Sequence, residues 1–458
     1  MIGSLSLAEL QAAWKTSLNA KLLGESIDFS RVSTDSREIQ PGDLFVALRG
    51  AKFNGHTFLE SVQAQGAAAA LVDRIDPTCT LPQLQVDDTT LGLGQLALLN
   101  RKKFKKPLIA ITGSSGKTTV RSMVEGILRE KGAVLCTTGN FNNHIGVPLT
   151  LLRLDGSEIC AVIEMGASAI GEIAYLCELA EPDVVMVNNV MPAHLSGFGS
   201  LEGVADAKGE IYQGVSEGGY CVVNKDEHFA SQWLGQIHDR RVITFSLSDS
   251  SADCWAENIQ SLSGVMTFTL HLPDGAIPVS LPVAGLHMLA NALAAAACAR
   301  AVGATHQNII NGLESFAPVA GRMNHCLGPC GSLVIDDAYN ANPGSVKAAI
   351  DVLADCQGAR ILLMGDMGEL GDEAWFMHAQ IGLYASAKAL DAVFTVGDMS
   401  RAVSESFTGP TRHFENQQQL IQHVKHIITD SDYTLLVKGS RSARMDRVVS
   451  ALTQVEAR

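Results

Sequence analysis

The sequence lacks the features that identify several common protein classes. Its 10 cysteines include no C-x-x-C pair and no metal-ligand spacing, so we expect reduced thiols in a cytoplasmic protein. No uncharged apolar run reaches membrane length, because the Ala-rich stretch at residues 289–304 contains Asn291 and Arg300. The first residues include Glu9 and no basic region before an apolar stretch, so we expect no signal peptide.

Positive charge is also scarce. The chain has 34 Lys and Arg residues against 48 Asp and Glu residues, which gives a net charge of −14. A field of this sign argues against broad contact with nucleic acid or with an anionic membrane surface. If a substrate is itself anionic, nearby arginines, lysines or metal ions must overcome this charge.

The chain is long and apolar enough to form several domains. It has 458 residues, of which 47% are hydrophobic, and this suggests about three domains with sizeable cores. A basic linker at residues 101–107, expected to be a solvated surface, and a boundary at residues 318–321 divide the chain. The expected domains are residues 1–104, 105–317 and 318–458.

Strand and helix patterns predict an α/β fold in all three domains. The first is a small α/β unit. The second alternates strands and helices, as a parallel sheet does, and carries an extra segment at residues 241–283 in which we expect antiparallel strands. The third is Rossmann-like, but no G-x-G-x-x-G opens its helices, so we do not expect NAD.

The clearest motif opens the second domain. An apolar strand at residues 108–111 leads into a glycine loop and then a helix, although Ile111 stands where the usual G-x-x-x-x-G-K-[ST] pattern has Gly. We interpret this stretch as a variant phosphate-binding loop in which Lys117 reaches the β- and γ-phosphates and Thr118 holds Mg²⁺. A glycine turn that happens to precede a lysine is the alternative. The predicted nucleotide-binding residues of this stretch are Thr112, Gly113, Ser114, Ser115, Gly116, Lys117, Thr118 and Thr119.

Two further side chains follow predicted strands of the same domain. Glu164 ends the strand at residues 159–164, and His194 follows the strand at residues 184–190. Ligands of doubly wound sheets bind at the carboxyl ends of strands, so we expect both side chains beside the glycine loop. Both suit a divalent cation on a triphosphate. A helix cap at Glu164 and an ordinary loop histidine at His194 are the alternatives.

Other polar segments have no decisive pattern of their own. Lys208 lies among acidic residues on a predicted helix, which by itself predicts an exposed lysine. The cluster at residues 33–37 is either a solvated turn or a binding loop for a phosphate or sugar. Three strand-end loops of the third domain, at residues 336–343, 365–371 and 438–445, suggest a binding edge that faces the central domain.

Four motifs resemble those of the Mur ligases, the ATP-dependent amide-forming enzymes of bacterial cell-wall synthesis. They are TGSSGKTT (112–119), IEMGAS (163–168), PAHLSGFGS (192–200) and ADAKGEIY (205–212). Three further motifs are similar to those of the family member that adds D-alanyl-D-alanine to UDP-N-acetylmuramoyl-tripeptide. These are STDSR (33–37) with GAKFNGH (50–56), DDAYNANP (336–343) and KGSRSARM (438–445). The Asp-Asn-Pro-Arg motif of the member that adds the third residue is missing, and Ser196 stands where the family often has Glu.

The resemblance implies a reaction and its catalytic residues. ATP would phosphorylate the terminal carboxylate of the tripeptide, and the amine of D-alanyl-D-alanine would attack the acyl phosphate. Lys117, Lys208 and His194 would be catalytic. Two Mg²⁺ ions would be held by Thr118, Glu164, His194 and Lys208, with Lys208 carbamylated, which reverses the plain interpretation of that lysine.

The resemblance also implies the binding residues and partners. ATP would contact Asn291, Arg322, Asp337 and Asn340. The UDP end of the substrate would contact Ser33, Thr34, Asp35, Ser36, Arg37, Gly50, Asn54, Gly55 and His56. Further candidate ligand contacts are Lys438, Ser440 and Arg444.

We therefore expect a cytoplasmic, monomeric ligase with no stable membrane insertion and no nucleic-acid partner. Another amino-acid-adding Mur-type ligase is the first alternative. A P-loop nucleotide switch without ligase chemistry is the second.

Overall fold

A computed structural model describes residues 1–50, 53–192, 195–262 and 264–453. The N-terminal unit is built on a five-stranded sheet of order β2-β9-β8-β5-β4, in which only β2 runs antiparallel to its neighbour. Its strands are β1 Leu5–Ser6, β2 Lys21–Leu23, β3 Asp28–Phe29, β4 Val32–Ser33, β5 Leu44–Val46, β6 Arg49–Gly50, β7 Phe53–Asn54, β8 Ala69–Val72 and β9 Gln83–Gln85. Its helices are α1 Leu7–Trp14, α2 Leu59–Ala64 and α3 Thr89–Lys103.

The central unit contains a nine-stranded sheet of order β11-β12-β10-β13-β14-β15-β16-β17-β18. Its strands are β10 Leu108–Thr112, β11 Val134–Cys136, β12 Cys160–Glu164, β13 Val184–Val187, β14 Tyr220–Asn224, β15 Arg241–Ser246, β16 Cys254–Leu262, β17 Val265–Leu272 and β18 Gly275–Leu281. Its helices are α4 Lys117–Arg129, α5 Gly146–Leu151, α6 Glu172–Ala180, α7 Leu195–Phe198, α8 Leu201–Gln213, α9 Ala230–Gln236, α10 Leu286–Ala301 and α11 His306–Glu314.

The expectation of antiparallel strands throughout residues 241–283 is wrong for the first part of that segment. β15 runs parallel to β14, and the start of β16 runs parallel to the end of β15; only β16, β17 and β18 pair antiparallel. The reason is α9, a crossover helix that returns the chain to the same end of the sheet before β15 begins. An alternating apolar pattern identifies a strand but not the direction of its partner.

The C-terminal unit has a six-stranded sheet of order β19-β20-β24-β21-β22-β23, parallel except for β19. Its strands are β19 Asn324–Leu327, β20 Leu333–Asp337, β21 Ala359–Gly365, β22 Ala392–Val396, β23 Thr411–Phe414 and β24 Tyr433–Lys438. Its helices are α12 Pro343–Ala354, α13 Ala374–Ala387, α14 Arg401–Ser406, α15 Gln417–Ile427 and α16 Asp446–Thr453. The edge strands β19 and β23 were not predicted, because both are short and carry few buried residues.

The N-terminal and central units share one apolar core, which includes Trp14, Leu96, Leu108 and Ile163. We expected the basic linker between them to be solvated, but part of it is not, because Arg101 is buried. Its guanidinium donates to the carbonyls of residues 104, 180 and 181. The linker therefore anchors α3 to the central unit.

The predicted three-domain α/β fold, with a central parallel sheet and an antiparallel extension, is confirmed. Among the helices of the described residues, none combines the length and the apolar character that a membrane crossing requires.

Candidate active site

A cavity of about 800 Å³ lies where the carboxyl ends of the central strands meet those of the C-terminal sheet. Residues that follow β10, β12, β13 and β14 form one wall, and residues that follow β20, β21 and β24 form the other. Parallel sheets bind ligands at this edge. The cavity therefore joins two such edges in one space.

The glycine loop between β10 and α4 forms the floor of the central wall. Gly116 has φ 77° and precedes the helix, and a Cβ there would lie 2.4 Å from Asn188 Nδ2. A side chain at this position would therefore need a strained backbone and would clash. The first turn of α4 leaves its N–H groups without intrahelical partners. The loop thus has the shape and the donors of a phosphate cradle.

Lys117 begins α4 inside this cradle. Its Nζ donates to the carbonyl oxygen of Gly113 at 2.6 Å. Burial, opposed by Glu164 and aided by a smaller contribution from Arg322, lowers the pKa of Lys117 to about 8. A phosphate group that replaced the Gly113 carbonyl as the hydrogen-bond partner of Lys117 would give this ammonium group a fully charged acceptor.

Thr118 and Glu164 form a buried pair of hard oxygen ligands. Thr118 Oγ1 donates to Glu164 Oε2 at 3.0 Å, and Glu164 is 1% exposed. The other carboxylate oxygen of Glu164 accepts from Arg121 Nε at 2.9 Å, and Arg121 also pairs with Glu125. Hydroxyl and carboxylate oxygens at a phosphate cradle are the donors that Mg²⁺ accepts, so this pair fits that ion.

Lys208 lies on α8 and is buried rather than exposed, being 2% exposed. Within the described residues it makes no hydrogen bond and no ion pair, and its Nζ lies 5.9 Å from the centre of the Phe198 ring. Burial, with a further contribution from Lys117, lowers the pKa of Lys208 to about 7. The plain interpretation failed because helical spacing places Lys208 on the inner face, whereas its acidic neighbours Asp206 and Glu210 point elsewhere.

His194 lies outside the described residues, so its predicted role as a metal ligand stays a prediction. In the described part of the chain, no group of three His, Cys, Asp or Glu side chains is arranged to hold a metal ion.

A segment after β13 holds the glycine loop in place. The Asn189 carbonyl and side-chain oxygens accept from the N–H groups of Ser114 and Ser115, at 3.0 and 2.8 Å. Asn188 Nδ2 donates to Asn291 Oδ1 at 2.9 Å and to the Ser115 carbonyl at 3.0 Å. Asn291, which is predicted to contact ATP, lies on the long helix α10 and is thus linked through Asn188 to the glycine loop.

Glu227 borders the same segment from the loop after β14. Its Oε2 accepts from the N–H group of Val190 at 3.2 Å, and burial raises the pKa of Glu227 to about 7. This carboxyl therefore carries a proton for part of the time near neutral pH.

The C-terminal wall presents cations to the cavity. Lys438 is 2% exposed; its Nζ forms an ion pair with Asp337 and donates to the Asn340 carbonyl at 3.0 Å. The guanidinium carbons of Arg322 and Arg441 lie 4.4 and 5.7 Å from the centre of the Tyr339 ring. Arg322, Asp337, Asn340, Lys438 and Ser440 all line the cavity, as does Arg441.

Not every predicted residue lies in the cavity lining. Thr112 ends β10 fully buried, with its hydroxyl unpaired in the described structure. Arg444 is exposed, with φ 51°, and does not border the cavity. The structure therefore separates Arg444 from the other candidate contacts of its loop.

The predicted UDP-binding residues form a separate group in the N-terminal unit. Ser33 ends β4, and the loop with Gly50, Asn54 and Gly55 follows β5, which is the parallel neighbour of β4. The exposed Arg37 forms an ion pair with Asp35, and its hydrogen bonds lower the pKa of that carboxyl to about 2. None of the described residues of this group borders the cavity.

The remaining members of the group lie near the same edge. Thr34 and Ser36 flank Asp35, and the Ser36 carbonyl accepts from Gln65 Nε2 at 2.9 Å. His56 Nε2 lies 3.0 Å from Asp73 Oδ1, and burial lowers the pKa of His56.

Sequence reasoning missed several residues that shape the site, namely Arg121, Asn188, Asn189, Glu227, Tyr339 and Arg441. The asparagines were hidden because the strand was predicted to run to residue 190, whereas β13 ends at Val187. Arg121 follows Lys117 by one helical turn, and this spacing could have indicated that both face one edge.

Three family models match this chain. They are the Mur ligase middle domain over residues 111–299, the Mur ligase glutamate ligase domain over residues 321–441, and the Mur ligase family catalytic domain over residues 28–101. The chain belongs to the Mur ligase family.

Individual Mur ligases are similar over nearly the whole chain. The Escherichia coli UDP-N-acetylmuramoyl-tripeptide–D-alanyl-D-alanine ligase is 46% identical, covering 95% of this chain and 96% of its own length. A MurF crystal structure from Acinetobacter baumannii has a TM-score of 0.92 at 34% identity and covers 99% of both chains. MurF ligase from Thermotoga maritima, solved in complex with ADP, has a TM-score of 0.82 at 27% identity, with coverage of 92% and 96%.

Proposed function

We propose that this chain is the ligase that joins D-alanyl-D-alanine to UDP-N-acetylmuramoyl-tripeptide with ATP, in peptidoglycan synthesis. The observation that carries the proposal is the cavity that joins the glycine loop of the central unit to the cationic loops of the C-terminal unit. A relative that bears this activity in its name aligns over nearly the whole chain. The boundaries 1–104, 105–317 and 318–458 belong to the proposal, as do a monomeric state and a cytoplasmic location.

ATP binds with its phosphates on the glycine loop. The N–H groups at the start of α4 and the Lys117 ammonium neutralise the phosphate charge. Asn291, Arg322, Asp337 and Asn340 contact the nucleotide from the two walls. The complex of the Thermotoga maritima MurF ligase with ADP supports the use of an adenine nucleotide by this chain.

The reaction has two steps. A carboxylate oxygen of the tripeptide attacks the γ-phosphorus of ATP, and ADP leaves with the electron pair of the broken bond. The dipeptide amine then attacks the acyl carbon, and phosphate leaves with that carboxylate oxygen as the amide forms. Positioning and charge neutralisation dominate such phosphoryl transfers. Lys117 stabilises the transferring phosphoryl group, and the walls of the cavity keep water from the acyl phosphate.

Mg²⁺ ions, two in this proposal, supply charge neutralisation on the phosphates when they are bound. Thr118, Glu164, His194 and a carbamylated Lys208 would hold them. The Lys208 amine supports this assignment, because a pKa of about 7 leaves much of it neutral at pH 7. A neutral amine can add to CO₂, release a proton and become an anionic carbamate, which is an oxygen ligand of the kind that Mg²⁺ prefers.

The UDP end of the tripeptide substrate binds the N-terminal unit. The shared edge of β4 and β5 presents hydroxyls, the Arg37 guanidinium and the loop with His56. Such groups suit the phosphates and sugars of a nucleotide.

The product identifies the activity. We expect ATP, UDP-N-acetylmuramoyl-tripeptide and D-alanyl-D-alanine to yield ADP, phosphate and a new amide detected by mass spectrometry, with phosphate release that requires all three. Turnover of single amino acids in place of the dipeptide would indicate another Mur-type ligase. Nucleotide hydrolysis without a new amide would indicate a switch.

A further inference from the structure

One cation of the C-terminal wall has no assigned role in the proposed reaction. Arg441 borders the cavity, and its side chain is 71% exposed. Its nearest acidic partner is Asp446, and Arg441 Nη1 lies 3.9 Å from Asp446 Oδ2. This long ion pair orients the guanidinium but leaves most of its hydrogen-bond donors available. A guanidinium has five N–H donors, and a single ion pair of this length engages one of them, so four are left to solvent.

The other cations of the cavity are engaged elsewhere. Lys117 donates to a carbonyl of the phosphate loop. Lys208 borders the cavity but is only 2% exposed, and the proposed function assigns it to the carbamate. Lys438 is held by Asp337 and the Asn340 carbonyl. Arg322 is near enough to Lys117 to lower its pKa, which places it on the nucleotide side. Arg441 is thus the cation left for an anionic group other than ATP.

The loop around Arg441 adds hydroxyl groups on a fixed backbone. Ser440 Oγ and Ser442 Oγ lie 3.0 Å apart, and both residues border the cavity. The Ser440 N–H donates to the Asp366 carbonyl at 2.8 Å, and the Ala443 N–H donates back to the Ser440 carbonyl at 3.0 Å. A guanidinium fork beside two hydroxyls matches the planar geometry of a carboxylate.

The proposed reaction, on which this inference rests, has one carboxylate that does not react. The dipeptide enters with its amine towards the acyl phosphate on the glycine-loop side, so its carboxylate points away from that loop. The opposite wall carries Arg441, whose guanidinium has donors beyond its contacts with Asp446 and the Tyr339 ring. We propose that Arg441, with Ser440 and Ser442, binds the C-terminal carboxylate of the incoming dipeptide and so selects an amine substrate that ends in a carboxylate.

The test compares D-alanyl-D-alanine with its neutral amide, D-alanyl-D-alaninamide, at saturating ATP and UDP-tripeptide. A charge-assisted hydrogen bond predicts that the wild-type enzyme prefers the acid by roughly ten- to hundredfold in kcat/KM. Arg441→Gln should remove most of that preference by weakening the acid alone, mainly through KM. Arg441→Lys, which keeps the charge but not the fork, should fall between the two. The ATP KM should stay unchanged.

Arg447→Gln is the matched control, because Arg447 is an exposed arginine of the next helix that does not border the cavity. It should behave as the wild type does. An Arg441→Gln variant that weakens acid and amide equally, or that raises the KM for ATP instead, overturns the inference while amide formation by the wild type upholds the proposed function. Failure of the wild type to form any amide with either dipeptide overturns the proposed function itself.

Discussion

Each wall of the cavity contains one lysine that is almost fully inaccessible to solvent, and the two lysines have opposite surroundings. Lys208 in the central wall and Lys438 in the C-terminal wall are both 2% exposed. Lys438 is paired with Asp337 and a backbone carbonyl. Lys208 has neither kind of partner within the described residues and lies near an aromatic ring. Equal burial thus gives a paired ammonium in one wall and an amine of lowered pKa in the other.

This difference separates a structural role from a chemical one. A buried ion pair ties β20 to β24 and fixes the loops that follow them. An unpaired buried amine costs stability, because burial disfavours its charged form. Such a group is expected where reactivity is needed. In the proposed function, the chemistry therefore falls to the central wall and the recognition of the dipeptide to the C-terminal wall.

The largest expected effect concerns the reactivity of Lys208. Lys208→Ala should lower ligase activity by about a thousandfold or more, because the variant would lack the carbamate that we propose as a ligand of the metal ions. Added acetate or another short carboxylate should restore part of that activity by replacing the carbamate. Full activity in the unsupplemented variant would refute the role of the carbamate.

The second prediction tests the difference between the two lysines by comparing the stability of their variants. Lys438→Met should destabilise the protein by about 3 kcal/mol, because the largely buried Asp337 carboxylate would lose its cationic partner. Lys208→Met removes a buried amine that has no partner within the described residues, so it should be neutral or slightly stabilising. Denaturant unfolding of both variants measures the difference. Equal losses in the two variants would show that the lysines are not in different states.

The third prediction is the pH dependence of that stability. The pKa of Lys208 is about 7 in the folded chain against an ordinary value of 10.5. Between these values the unfolded chain binds the extra proton, so stability should rise with pH, by up to about 1.4 kcal/mol per pH unit. The pH series from 7 to 9 is recorded in CO₂-free buffer, so that the amine stays free.

Lys208→Met supplies the control for that series. The variant should lose this part of the slope and keep the part that comes from Lys117, whose pKa is about 8. Identical slopes in the two proteins would mean that Lys208 stays charged on folding.

The smallest expected effect tests whether hydrogen bonds in the central wall hold the glycine loop in its phosphate-binding shape. Asn188→Ala removes uncharged hydrogen bonds to Asn291 and to the Ser115 carbonyl, each worth about 1 kcal/mol. The variant should bind ATP several-fold more weakly and keep its preference for the dipeptide acid. An ATP affinity equal to that of the wild type would argue that the cradle holds its shape without this pair.

Local patterns were sufficient to predict most of the elements that carry the site. The strand, loop and helix at β10 and α4 follow from an apolar run, two glycines and helical spacing, and the strand that ends in Glu164 was placed in the same way. These elements depend on residues that are neighbours in the sequence, so the local sequence pattern is enough to predict them.

Features that depend on distant residues could not be predicted. The partner of β15 is set by a crossover, and the burial of Lys208 is set by the packing of α8 on the sheet. Arg441 acquires its setting from Tyr339, which lies about a hundred positions away in the chain. Charge pattern alone gave the wrong answer for Lys208, because an ion pair needs side chains that meet in space and not only in sequence.

The path of oxygen tests the central claim, that this cavity makes an amide through an acyl phosphate. The UDP-tripeptide is labelled with oxygen-18 in its terminal carboxylate and converted with ATP and D-alanyl-D-alanine. An acyl-phosphate route places one labelled oxygen in each phosphate released, because the attacking carboxylate oxygen leaves with phosphorus. Amide formation with unlabelled phosphate would contradict it.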